Sequence, residues 1–332
     1  MDFDFSGLGF QRNEVAVVTG AGNGIGRATA LMLARAGVTV AAWDLDEGGL
    51  EALGKEIDAM GGHTRIVSGD LTDQKFVDHA WRLAAQIGEP VRYLVNNAGP
   101  ASTTPMTVAE GVQVAIGSYA AVADGFIATS GQAAASMTFT ASIAGNFYVG
   151  PTPDWYPAAK AGIAGLMRHL AVKHRGHPRS NGVAPAAIRT QRTAEPPPTM
   201  LEKIARRPLG RIGEPEEVAA LICFLLSPAA SFINGVLVPS TVQRRGRTSG
   251  RKPRRDSVDV RCGQSLLRSG GRVHPPWRRR RQGVRQVGLE RASAPHHVRS
   301  LHGDELTEPH VRPGREARRL PRPVTRAGVG DR

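Results

Sequence analysis

Cysteine is nearly absent: 332 residues hold two, Cys223 and Cys262. So sparse a pair builds no disulfide framework, and a reducing, cytoplasmic setting is the expectation. Long apolar runs are missing too. None approaches the roughly 18 residues that cross a bilayer, and one of the longest, AALICFLL at 219–226, reads as a buried helix. The opening MDFDFSGLGF has no basic stretch followed by an apolar one, so nothing in it reads as an export signal or predicts a membrane partner. No set of residues reads as a metal site. With those classes set aside, 41% apolar residues suffice for a sizeable core, in one large domain or two smaller ones.

Excess positive charge is also missing from most of the chain, although the total is +14. Residues 1–240 hold 19 Lys/Arg against 21 Asp/Glu, a net of −2, whereas 241–332 hold 24 against 8, a net of +16. The basic residues of that second part are 23 Arg and 1 Lys, in stretches such as RRGRTSGRKPRRD that follow neither helical nor strand periodicity. Such a bias is what GC-rich DNA gives when read out of frame. Residues 241–332 are therefore expected to be a frameshift-derived, disordered tail. The competing reading is an arginine-rich nucleic-acid arm. It is disfavoured because Trp277 alone offers a stacking aromatic, where single-strand binders interleave several.

What is there, up to about residue 240, is an alternation of apolar strand-like runs with amphipathic helix-length segments. EVAVVTG (14–20, a strand and its glycine turn), VTVAAWDLD (38–46), TRIVSGDLTD (64–73), VRYLVNNAG (91–99), SMTFTASIAG (136–145) and GVLVP (235–239) give strands, and SNGVAPAAI (180–188) holds a short one. Helices are expected from Gly24 and over 47–60, 74–88, 107–133, 154–174 and 214–227. Strands apolar throughout and alternating with helices imply an α/β fold: one Rossmann-type, doubly wound parallel sheet of about seven strands, with helices on both faces.

The strongest local signal is TGAGNGIGRA at 19–28, where Gly20, Gly24 and Gly26 join a strand to a helix. Glycines there let the backbone turn tightly and approach a pyrophosphate seated on the helix N-terminus. The bland alternative is a glycine-rich connection with no ligand. Asp44 closes the second strand, where a carboxylate accepts hydrogen bonds from both adenosine ribose hydroxyls and repels a 2′-phosphate. With no arginine in the loop before Arg27, NAD is favoured over NADP; otherwise Asp44 is a solvated turn residue. Asp70 follows the third strand, where it and the Leu71 backbone would meet an adenine edge, or where Asp70 simply caps a helix.

TGxxxGxG at 19–26, Asp70 after the third strand and NNAG at 96–99 together resemble the short-chain dehydrogenase/reductase family, over about residues 12–239. The resemblance implies that Asn96 braces the central sheet. It also implies that Asn23, Ile25, Asn97, Ala98 and Gly99 join the glycines around the cofactor, that Thr190 touches its nicotinamide end, and that the chain assembles as a homo-oligomer, a dimer or tetramer.

YPAAK sets Tyr156 and Lys160 four apart, one helical turn on one face. A phenol with a reference pKa near 10 is a poor base at neutral pH, but an adjacent ammonium and a positive nicotinamide favour its phenolate. Lys160 would also hold the nicotinamide ribose, and Ser142 would donate to the substrate oxygen. The bland alternative makes all three surface or turn residues.

Several positions depart from the family pattern. Ala115 stands where a fourth catalytic residue, an asparagine, is usual, with Ser118 a turn further on as a substitute. Ser142 lies one residue further from Tyr156 than expected, which an insertion in 146–154 would absorb. Ala186 replaces a glycine, KHRGHPRSN (173–181) is about two residues short, and STVQRRGR replaces an expected Asp–Gly turn and closing segment.

The expected activity is NAD(H)-dependent interconversion of a secondary alcohol and a ketone, on a small uncharged substrate lined by 146–155 and 190–209. The alternative is a catalytically weak relative that binds NAD or a partner.

Overall fold

The computed structural model describes residues 6–240 except 13, 131–133, 148–151, 194–195, 197 and 206–208. The tail at 241–332, with its reading as frameshift-derived and disordered, lies outside the described residues.

Seven strands form one sheet: β1 (Val15–Thr19), β2 (Thr39–Asp44), β3 (Thr64–Ser68), β4 (Val91–Asn96), β5 (Ser136–Thr140), β6 (Arg179–Ala184) and β7 (Leu237–Pro239). Their order is β3-β2-β1-β4-β5-β6-β7, and every neighbouring pair is parallel. The expected doubly wound α/β sheet is the one found. Chain order reverses between β1 and β4, and that reversal opens a crevice beyond their carboxyl ends.

Among the described residues the α-helices are α1 (Gly24–Arg35), α2 (Glu47–Ala59), α3 (Gln74–Ala85), α4 (Val108–Ser130), α5 (Trp155–Lys173), α6 (Pro198–Ala205) and α7 (Pro215–Leu226). Strand alternation decides which face each residue serves. Val15 and Val17 join Trp43, Trp81, Phe126, Phe139 and Trp155 in the core beneath α3, α4 and α5. Ala16 and Val18 join Leu33, Leu50, Leu53, Ile57 and Ile222 beneath α1, α2 and α7.

Four strands end inside the apolar stretches that hold them. β3 stops at Ser68 because Gly69 packs against the Phe76 ring, where a Cβ would stand 2.3 Å from a ring carbon. Asp70 then makes a turn of its own, its carboxylate accepting from the Thr72 N–H at 2.8 Å. β4 stops at Asn96, the first residue of NNAG, and β5 at Thr140. β6 stops before Pro185, which has no N–H to give a ladder. The short α5–β6 connection turns tightly, with Arg175 and Gly176 both in the left-handed region at φ 53° and 81°. Helix α6, in a proline-rich stretch, was not expected.

By length and composition α4 is apolar enough to cross a bilayer. A search for uninterrupted apolar runs passes over it because Glu110, Gln113, Ser118 and Asp124 break the stretch. Its Ala115, Tyr119, Val122, Ala123 and Phe126 are buried in the core beneath α3 and α5.

Candidate active site

The glycine turn between β1 and α1 is shaped by contacts that leave no room for side chains. Gly20 and Gly24 have φ of 67° and 53°, the region that glycine occupies at no steric cost. A Cβ on Gly26 would lie 2.0 Å from the Gly20 carbonyl oxygen, and one on Gly24 would lie 2.9 Å from the Thr190 methyl. Asn23 caps α1 through its backbone but makes no side-chain capping bond. Ile25 packs into the core beneath α1. The first turn of α1 holds no acidic residue, so its N–H groups and dipole suit an anion.

The NNAG turn is bound to this loop. Thr19 Oγ1 accepts from the backbone N–H groups of Asn97 at 2.9 Å and Ala98 at 3.1 Å. It donates in turn to the Val95 carbonyl. The Asn97 amide donates to the Thr19 carbonyl at 3.2 Å, and a Cβ on Gly20 would touch that same amide. Asn96 is buried and donates to the Tyr119 carbonyl on α4 at 2.9 Å. Both amides therefore brace the sheet, and the strand ends on two of them because β1 and α4 each need one. Gly99 lies just beyond, partly buried. Thr19, ahead of the glycines, escaped the sequence reading; its signal is a hydroxyl at the last position of the strand.

Asp44 closes β2 beside the loop. Its Oδ2 accepts from the Gly22 N–H at 2.8 Å and its Oδ1 from the Asp46 N–H at 3.1 Å. The carboxylate comes this near only because residue 22 is glycine, where a Cβ would stand 3.2 Å from Oδ2. Arg27 pairs with Glu56 on α2. Asp70 is exposed and does not cap α3; Asp73 does, accepting from the Lys75 N–H at 2.9 Å. Leu71 packs against the aromatic core.

At the other end of the crevice, α5 begins with Trp155, fully buried, its indole N–H donating to the Thr104 carbonyl at 2.9 Å. That anchor fixes the next residue, Tyr156, whose ring meets Trp155 edge-on at 5.4 Å. Lys160, one turn on, donates from Nζ to the Thr140 carbonyl at 2.8 Å and stands 5.9 Å from the Tyr156 ring centroid. Ser142 is buried two residues beyond β5, its Oγ accepting from the Ala144 N–H at 3.1 Å. The Asn146 amide joins this loop to the helix, donating to the Ser142 carbonyl at 3.0 Å and the Lys160 carbonyl at 3.1 Å. Asn146 also escaped the sequence reading.

Beyond β6, Thr193 takes the Thr190 N–H at 2.9 Å and shares a hydrogen bond with its hydroxyl at 3.1 Å, holding Thr190 over Gly24. Of the expected substrate wall, 148–151, 194–195, 197 and 206–208 lie outside the described residues, as does the altered stretch after Ser240.

A parallel sheet with a glycine turn at its switch point, and a Tyr–Lys pair on the helix after β5, defines a Rossmann-type protein of the oxidoreductase kind. Residues 20–239 match the family model described as enoyl-(acyl carrier protein) reductase. The sequence is 33% identical to a cyclohexanol dehydrogenase of Acinetobacter sp., over 67% of this chain and 91% of that one. It is 31% identical to a 3-oxoacyl-[acyl-carrier-protein] reductase of Thermotoga maritima, over 68% and 95%. Among solved structures, a 7α-hydroxysteroid dehydrogenase complexed with NADH and 7-oxo glycochenodeoxycholic acid is similar, with a TM-score of 0.66 and 26% identity over 74% of this chain and all of that one. The chain belongs to the short-chain dehydrogenase/reductase family, and it is an oxidoreductase by that membership.

Proposed function

We propose that residues 1–240 form an NAD(H)-dependent short-chain alcohol dehydrogenase or ketoreductase, with 241–332 a tail outside the working domain. The observation that carries the reading is Lys160 held by the Thr140 carbonyl and facing the Tyr156 ring, with Ser142 tied to the same helix through Asn146.

The residues fit a dinucleotide. The start of α1, which has no side-chain capping bond, and the glycine cradle at Gly20, Gly24 and Gly26 suit a pyrophosphate. Asn97, Ala98 and Gly99 flank the loop on the ribose side, with Asp70 and Leu71 toward the adenine. Asp44 offers only acceptors, which suits a free 2′-hydroxyl and repels a phosphate. Arg27, the first arginine after the glycine loop, pairs with Glu56 rather than standing ready for a phosphate. When bound, the nicotinamide supplies the hydride acceptor or donor.

This chain's residues do the rest. Tyr156 Oη takes the proton of a carbinol, or returns it to a carbonyl oxygen. The Lys160 ammonium favours the phenolate that accepts it, and its remaining donors suit ribose hydroxyls. Ser142 Oγ donates to the substrate oxygen as charge develops there. Thr190, held by Thr193, orients the nicotinamide end. Secondary alcohols and ketones are the substrates proposed. The relatives support that class, among them a meso-2,3-butanediol dehydrogenase and a levodione reductase. A cytoplasmic homo-oligomer, dimer or tetramer, is the proposed form.

The test is oxidation of cyclohexanol and related secondary alcohols with NAD, by the protein and by Tyr156→Phe, alongside thermal unfolding with NAD, NADH or NADP. The expected result is turnover that falls roughly 10³-fold in the variant. NAD and NADH should raise the melting midpoint and NADP should not. Turnover that survives the substitution would remove Tyr156 from the chemistry. A shift with none of the three nucleotides would leave a family member without its cofactor.

A further inference from the structure

Helix α4 brings three buried side chains, Ala115, Ser118 and Tyr119, to its packed face. Ala115 offers no polar atom. Ser118 donates its hydroxyl to the Val114 carbonyl of its own helix at 2.8 Å, so it does not replace the missing asparagine. Tyr119 is different. The Lys160 Nζ stands 5.6 Å from its ring centroid, and its hydroxyl donates to the Thr140 carbonyl at 3.1 Å. That oxygen also accepts from Lys160 Nζ, at 2.8 Å.

Tyr119 has no freedom to move. It is fully buried, its backbone carbonyl is held by Asn96 at 2.9 Å, and its ring lies 6.0 Å from Phe139. We propose that Tyr119 is the positioning residue for Lys160. Its ring is a floor beneath the ammonium, its hydroxyl pins that floor to the carbonyl both groups share, and the charge is thereby held between two aromatic rings, facing Tyr156. Attraction of an ammonium to an aromatic face acts at this range and grows as water is excluded.

Among the described residues, Tyr156 from its own helix and Tyr119 from α4 are titratable groups that face the ammonium. β5 contributes the Thr140 carbonyl, and the loop beyond it the non-titrating Ser142. Burial, and then the charge on Tyr156, push the Tyr119 hydroxyl above its ordinary value. Tyr119 therefore remains a neutral donor. The inference rests on the reading of Tyr156 as the base, and the experiment separates the two.

Ultraviolet difference titration of tyrosinate follows ionisation without needing a substrate. In the unmodified protein a step well below the ordinary phenol range is expected, and Tyr156→Phe should abolish it. Tyr119→Met fills similar space with a flexible side chain but removes both ring and hydroxyl; the step should rise by about one pH unit as the ammonium loses its seat. Tyr119→Phe keeps the ring and loses only its anchor, so a smaller rise is expected. If Tyr156→Phe titrates like the unmodified protein, the reading of Tyr156 fails and this inference with it. A step lost in Tyr156→Phe but unmoved or lowered in a folded Tyr119→Met overturns the positioning role alone. Should Tyr119→Met not fold, Tyr119→Phe decides by the same criterion.

Discussion

The two faces of the sheet are built from different materials. Beneath α3, α4 and α5 lie Trp43, Trp81, Phe126, Phe139, Trp155 and Tyr119, the largest fully buried side chains among them. Beneath α1, α2 and α7 the core is mostly Ala, Val, Leu and Ile, with Met32 and Cys223, and Tyr93 is the one buried ring there among the described residues. The proposed chemistry stands on the aromatic face, where rings position rings: Trp155 sets Tyr156, and Tyr119 underlies Lys160. The glycine loop stands at the head of the aliphatic face, where small residues let backbone approach backbone. Stiff side chains suit a site that must hold a proton donor and a charge in fixed relation. Small ones suit a site that must admit a pyrophosphate. α7 sits on the softer face and is clamped at both ends by charge. Arg211 and Glu217 hold its start. At its end the Arg179 guanidinium gives hydrogen bonds to the carbonyls of Leu225, Leu226, Ser227 and Ile233.

The hardest blow to this contrast is Trp155→Ala. Removing a fully buried indole is expected to cost about 4 kcal/mol, to free the Thr104 carbonyl and to loosen the start of α5. Denaturant unfolding measures it, and Leu53→Ala on the opposite face, expected at about 3 kcal/mol, is the comparison. A Trp155→Ala cost below that of Leu53→Ala would mean that α5 is held by something other than its aromatic anchor. Arg179→Met comes next. It keeps the stem but removes the donor of the Leu226 carbonyl, whereas Leu225, Ser227 and Ile233 keep Ser136, Ala230 and Asn181 as donors. About 2 kcal/mol is expected for the lost guanidinium hydrogen bonds and the one acceptor left without a donor. Burial lowers the Arg179 pKa from its ordinary value, partly offset by Tyr93, but a guanidinium stays protonated across neutral pH, so the loss should change little there. If Arg179→Met melts like the unmodified protein, the α7 terminus finds its donors elsewhere.

The sequence made the sheet and its cofactor turn legible because their constraints are local. Alternating apolar runs have few three-dimensional solutions, and Gly20, Gly24 and Gly26 sit where only glycine fits. Asp44 was legible for the same reason, as the last residue of its strand. The roles of Tyr119, Asn146 and Thr193 were not legible, because each depends on a partner far along the chain. Tyr119 meets Lys160 only once α4 and α5 pack, and a tyrosine in an apolar helix reads as core. Ser118 looked the better substitute for the missing asparagine because spacing carries no record of where a hydroxyl turns, and this one turns back on its own helix. Asp70 and Asp73 exchange the capping role by three residues, which the early end of β3 decides. α6 went unseen because prolines mask a helix one turn after they start it.

The smallest expected effect bears on the start of α7. Glu214 and Glu217 form a reciprocal capping box, and Arg211 grips Glu217 through both carboxylate oxygens at 2.6 Å. The Arg211 hydrogen bond, with the Glu214 N–H behind it, draws the Glu217 carboxyl from 4.5 down to about 2. A carboxyl depressed on folding stabilises the protein at pH values above its unfolded value. That contribution fades as pH falls through 4.5 toward 2. The pair is largely exposed, so solvent screening reduces its worth, and Glu217→Gln is expected to cost about 1 kcal/mol at neutral pH, as for a lost cap. The difference in stability between Glu217→Gln and the unmodified protein should therefore be constant from pH 7 to pH 5 and shrink below it. A difference that persists unchanged at pH 3 would assign the effect to the capping hydrogen bond alone, which glutamine's amide oxygen only partly retains. The charge clamp would then have no share in holding the aliphatic face.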